Sequence, residues 1–130
     1  MIVVDSSALI AIVEQEHDAE SFEDAILDAD RVLLGAATKL ETMIVAGARR
    51  GRSGIASAQA LLDRMKIEIA PLTEELADVA VEAFLRFGRA RHKAALNFGD
   101  CMAYAVAKSL DAPLLYKGND FAKTDIRSVL

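Results

Sequence analysis

The chain has 130 residues, the size of one domain, with no internal repeat, low-complexity tract or interdomain linker. Hydrophobic residues make up 53 % of it, alanine is abundant and tryptophan absent, which favours close-packed helices over an aromatic-rich β-sandwich. The net charge of −5 opposes indiscriminate polyanion binding, yet local basic clusters stand at Arg49, Arg50 and Arg52 and at Arg86, Arg89, Arg91, His92 and Lys93.

The run IVV at 2–4 reads as a buried strand ending at Asp5, and Asp5 or Ser6 caps a helix over about 7–15. A second amphipathic stretch follows over about 19–29. VLLG at 32–35 is the next strand, leading into a helix over about 37–50. The GRSG segment at 51–54 breaks that helix, and another over about 55–65 returns toward the strand IEIA at 67–70. Pro71 and Thr73 open a long helix to about 90. After a basic connection, a helix runs from about 98 to 110, LLY at 114–116 is a strand, and IRSV at 126–129 offers a last one. Strands alternating with helices predict an α/β fold with a mostly parallel sheet covered on both faces. In such sheets the functional crevice lies beyond the carboxyl ends of the strands.

Four acids begin or close apolar elements: Asp5, Glu41, Asp100 and Asp120. Helical offsets put Asp5 on a stripe with Ala8, Leu9 and Ile12. They put Glu41 with Ile44, Val45 and Ala48, and Asp100 with Ala103, Tyr104 and Ala107, so each acid is expected on a buried face. Taken singly, Asp5 and Asp100 also suit helix caps, Asp120 a turn, and Asp125 a solvated turn or strand edge. Taken together they predict a carboxylate site at one crevice. Carboxylates without histidine or cysteine partners suit hard cations such as Mg²⁺ or Mn²⁺. Cys101, His17 and His92 lack the spacing of zinc ligands. Arg86, Arg89, Arg91 and Lys93 lead into the Asp100 helix and are candidate grips for backbone phosphates, with a solvated helix end as the plainer account.

The lone Cys101 excludes an intramolecular disulfide and fits a reducing cytoplasm. MIVV lacks the basic flank of a signal peptide, and no apolar run approaches the roughly 20 residues of a membrane span. A soluble cytoplasmic protein is expected.

The blocks IVVDSSALIAIVEQE, KLETMIVAGA, GRARHKAALNFGDCMAYAVAK and LLYKGNDFAKTDI together resemble the PIN-domain nucleases. More closely, they resemble the VapC-type ribonuclease toxins of type II toxin–antitoxin modules. The resemblance covers essentially the whole chain and implies a single PIN domain over 1–130, a three-layer α/β/α sandwich. It implies that Asp5, Glu41 and Asp100 are the core metal-binding carboxylates and Asp120 the more variable fourth. Ser6 or Ser7 corresponds to the small hydroxyl residue beside the first acid, with Ser6 the candidate substrate contact. Lys93 departs from the family, standing where close relatives often have proline. The resemblance further implies Mg²⁺- or Mn²⁺-dependent hydrolysis of RNA, an antitoxin partner and a homodimer. Two other readings compete. One is a PIN scaffold that binds RNA or protein without catalysis. The other is a receiver-type phospho-acceptor domain using Lys117, which the single acid at the first strand end and the Ala-Pro at 70–71 oppose.

Overall fold

The computed structural model describes all 130 residues. The strands are β1 (Ile2–Val4), β2 (Val32–Gly35), β3 (Glu68–Ala70) and β4 (Leu114–Leu115). The helices are α1 (Ser6–Val13), α2 (Ala19–Asp28), α3 (Ala36–Arg64), α4 (Glu74–Phe87) and α5 (Phe98–Ser109). The sheet has the order β3-β2-β1-β4 and every pair is parallel, with Val3 opposite both Leu33 and Leu114.

Alternation along the short strands builds the two halves of the core. Val3, Leu33 and Leu114 point to one face, where they pack with α4 and α5. Ile2, Val4, Val32, Leu34 and Leu115 point to the other, against α1, α2 and Leu61 and Leu62 of α3. The result is the expected three-layer α/β/α sandwich. No helix is long and apolar enough to cross a membrane.

The predicted break in α3 falls at Gly51, whose φ of +61° and ψ of −147° interrupt the helix. That backbone conformation carries no side-chain penalty only for glycine. Two expectations need correction. α4 ends at Phe87, not near 90, because Gly88 is extended and Leu96 returns to donate to the Phe87 carbonyl (2.9 Å). IRSV does not form a full strand: it makes one isolated bridge, Ser128 with Leu114.

All strands being parallel, their carboxyl ends share one edge. The chain steps from β1 to β2 to β3 on one side, and β4 adds on the other side of β1. The switch point therefore lies between β1 and β4, where the Asp5 N–H donates to the Leu115 carbonyl (2.9 Å).

Candidate active site

Asp5 is the N-cap of α1 and only 4 % exposed. Capping uses one of its oxygens: Oδ2 accepts from the Ser7 N–H (3.1 Å) and the Ser7 hydroxyl (2.6 Å). Oδ1 is buried with no hydrogen-bond partner. A cap alone leaves no reason for such an atom, since an orphaned buried acceptor is costly. Burial is the chief cause that pushes the Asp5 carboxyl up to about 6. The Ser7 bonds pull it back, and the nearby charges of Asp100 and Glu41 push it further up.

Asp100 sits in the first turn of α5, in a reciprocal capping box. Its N–H donates to Asn97 Oδ1 (2.8 Å), and its Oδ2 accepts from the Asn97 N–H (3.1 Å). Burial raises its carboxyl above the usual range, the Asn97 bond lowers it, and the charges of Asp120 and Glu41 raise it again, with Arg89 opposing. Glu41, on the second turn of α3, is partly buried, and its Oε1 accepts from the Ser6 hydroxyl (2.7 Å). Asp120 is exposed at the start of a 3-10 turn over Phe121–Lys123, within electrostatic reach of Asp100. The loop carrying it is tied down at Lys117, whose N–H donates to Ser7 Oγ (2.9 Å) and so continues the chain of bonds that ends on Asp5.

The donor set is all carboxylate, with one buried oxygen free and like charges facing each other. It fits a hard divalent cation. No three side chains close on one point at direct ligand distance. An ion held here would reach some of the acids through its own waters.

A family model for the PIN domain matches residues 2–127. The chain belongs to the PIN-domain family. It is 42 % identical to ribonuclease VapC30 of Mycobacterium tuberculosis over 128 residues, spanning 98 % of this chain and 97 % of that one. It is 41 % identical to ribonuclease VapC of Mycolicibacterium smegmatis over 127 residues, 98 % of both chains. Among solved structures it resembles VapC20 of Mycobacterium tuberculosis, a sarcin–ricin loop cleaving toxin, with a TM-score of 0.80. The identity is 17 %, and the match covers 97 % of this chain and 96 % of the other. A toxin–antitoxin complex from Klebsiella pneumoniae matches with a TM-score of 0.74 and 17 % identity, over 96 % of this chain and 93 % of that one. At such identities these structures speak to the fold.

In this PIN domain the basic residues divide. Arg86 pairs with Asp125 (3.5 Å) and lies 4.7 Å over the Phe87 ring. Arg91 donates through Nε to the Leu85 carbonyl (3.2 Å) and stacks on Phe84. Arg89 lies within electrostatic reach of Asp100 and pulls it down slightly, while Lys93 is exposed. In the other basic cluster, Arg50 is taken by Glu14 (2.9 Å). Lys117, the candidate receiver lysine, pairs with Asp18 (3.1 Å) and Glu16 (3.2 Å) instead.

Three further placements differ from expectation or escaped it. Ser6 is directed onto Glu41, so its hydroxyl orients an acid. Ser7, two residues after an Asx N-cap, could have been read as the partner of Asp5 from capping rules alone. Asp125 is exposed, as expected of a solvated acid, but its partners escaped the sequence: it accepts from the Tyr104 hydroxyl (2.6 Å) and Lys108 Nζ (2.9 Å) as well as Arg86.

Proposed function

We propose that this protein is a Mg²⁺- or Mn²⁺-dependent endoribonuclease toxin, built as one PIN domain over residues 1–130. The observation that carries the reading is Asp5 Oδ1: a buried, unpartnered carboxylate oxygen at the sheet's switch point, facing Asp100 and Glu41. The high identity to VapC ribonucleases over nearly the full length supports it.

Asp5 and Asp100 would hold the ion, with Glu41 and Asp120 completing or orienting the site. A bound Mg²⁺ or Mn²⁺ supplies a lowered pKa for its water and stabilisation of charge on the reacting phosphate. The chain's own residues do the rest. Ser7 fixes the Asp5 rotamer through Oδ2, so that Oδ1 would be free to hold an ion. Ser6 holds Glu41. Arg89, within electrostatic reach of Asp100, would hold an RNA phosphate beside it.

The same reading gives the protein RNA as substrate, a small antitoxin as partner, a homodimeric state and a cytoplasmic location. An apolar groove of about 610 Å³ between α4 and the start of α5 supports a protein partner. Its lip carries Phe98, 82 % exposed, and half-exposed Val81 and Leu72.

The test is incubation of the purified, antitoxin-free protein with total RNA in Mg²⁺, Mn²⁺ or EDTA, beside Asp100→Asn. Discrete fragments that need the metal and vanish in the variant are expected. Identical RNA patterns from variant and wild type, on RNA that both bind, would mean the acids do not catalyse.

For Arg89 a salt series decides. In EDTA, Arg89→Ala should weaken binding of single-stranded RNA and reduce the slope of log K against log salt by about 0.7, the value for one phosphate contact. Arg86→Ala should leave that slope unchanged, since Asp125 already engages the Arg86 guanidinium. An unaltered slope in Arg89→Ala would take Arg89 out of the RNA path.

A further inference from the structure

Gly99 stands immediately before Asp100, in the first turn of α5. Its backbone is ordinary helix, with no positive φ, so nothing in the main chain calls for glycine there. Helices disfavour glycine, and alanine would suit the local conformation better. What excludes a side chain is one group. A Cβ built at position 99 would overlap Glu41 Oε2 and lie 2.7 Å from its Cδ and 2.9 Å from its Oε1. All three nearest atoms belong to the Glu41 carboxylate.

Glu41 is therefore bracketed. On one side the Ser6 hydroxyl, next in sequence to Asp5, donates to Oε1. On the other the bare Cα of Gly99, next in sequence to Asp100, gives the carboxylate its seat. The side chain reaches from α3 across to the first turns of α1 and α5, and its charge falls on both Asp5 and Asp100. A methyl group at 99 would leave the helix intact and move the one carboxylate that links the two.

We infer that Gly99 is a positioning residue of the acidic site: its missing side chain seats the Glu41 carboxylate between Asp5 and Asp100. The inference rests on the metal-site reading above and adds a residue that touches neither ion nor RNA. It also explains why a helix-disfavouring residue stands beside the acid at the start of α5.

The experiment uses the full chain in four forms: wild type, Gly99→Ala, Glu41→Asp, and the two changes together. Melting temperature without metal, Mn²⁺ affinity by calorimetry and RNA cleavage are measured on each. Gly99→Ala should melt no lower than wild type yet bind Mn²⁺ at least about tenfold more weakly and cleave RNA correspondingly less. Shortening the acid by one methylene withdraws its carboxylate from the new methyl group. The double variant should therefore bind Mn²⁺ several-fold better than Gly99→Ala, a non-additive rescue that a purely structural glycine would not give.

Wild-type Mn²⁺ affinity in Gly99→Ala overturns the inference while leaving the metal-site reading intact. A wild-type protein that binds no Mn²⁺ overturns that reading, and the inference with it. If Gly99→Ala melts early, the double variant decides: normal melting with recovered Mn²⁺ affinity supports the positioning role, and failure to recover overturns it.

Discussion

Asp5→Asn should abolish RNA cleavage and yet raise the melting temperature of the metal-free protein at pH 7. The substitution keeps the shape and the capping acceptor toward Ser7 and removes a buried charge. Burial, chiefly, pushes the wild-type carboxyl up from the ordinary 3.8 to about 6, with the Ser7 bonds lowering it and Asp100 and Glu41 raising it. A folded-state value above the unfolded one means that the folded protein holds the proton more tightly. The stability this confers is complete below 3.8 and is lost as pH rises through about 6. At pH 7 the wild type thus carries a charge whose burial costs on the order of 2–3 kcal/mol, from about two pKa units at about 1.4 kcal/mol each. Asparagine removes that cost and meets Asp100 and Glu41 with an amide in place of a third negative charge. A rise of several °C in Tm is expected. Mn²⁺ should reverse the order, stabilising wild type and leaving the variant where it was. The apparent Mn²⁺ affinity of wild type should climb as pH rises through about 6 and level off above, because the ligand must be deprotonated. Loss of the ion's charge stabilisation, worth several kcal/mol, corresponds to a fall in cleavage of at least about 100-fold. A variant that melts lower than wild type without metal, or gains equally from Mn²⁺, would show that Asp5 is only a cap.

Much of this site was legible because strand ends are easy to read. IVV stops at an aspartate, a helix starts there, and parallel topology carries the other elements to the same edge. Asp5 with Ala8, Leu9 and Ile12, and Asp100 with Ala103, Tyr104 and Ala107, do lie on stripes whose apolar members are buried. Glu41 was placed at the right edge for a wrong reason. Its supposed stripe is turned outward, with Ile44 60 % exposed, while α3 buries Thr38, Thr42 and Ala46. Hydropathy points away from threonine, but the Thr42 hydroxyl donates to the Thr38 carbonyl (2.8 Å) and so tolerates burial. The same limit hid the bracket around Glu41. Gly99 lies 58 positions further along the chain, and only the folded contact shows why it has no side chain. The basic residues divide between paired and free for a similar reason: composition grouped them, and partners distant in sequence, such as Asp125 for Arg86, separated them.

Asp125 carries the other large expectation. Asp125→Ala should destabilise the protein by about 2–3 kcal/mol while leaving RNA cleavage at 20 °C within a few-fold of wild type. The main loss is at Tyr104, almost fully buried, whose hydroxyl would lose a charged acceptor at 2.6 Å; such a bond is worth about 1.5–3 kcal/mol. Lys108 and Arg86 are half exposed, so their pairs add little, each at most about 1 kcal/mol. Burial alone would raise the Asp125 carboxyl, but the bonds from Tyr104 and Lys108 and the positive charges of Lys108 and Arg86 hold it below its ordinary 3.8. A depressed folded-state value gives stability that is present above 3.8 and lost as pH falls through the folded value. The gap in Tm between wild type and Asp125→Ala should therefore be widest at neutral pH and narrow below pH 3.8. Tyr104→Phe should cost about 1–2 kcal/mol in wild type and close to nothing once Asp125 is alanine, giving a coupling of similar size. Lys117, through Ser7, opens the segment that carries Asp120, and Asp125, through Tyr104, closes it. If the variant keeps its stability but loses cleavage, Asp125 acts on the position of Asp120 and not on the packing of α5.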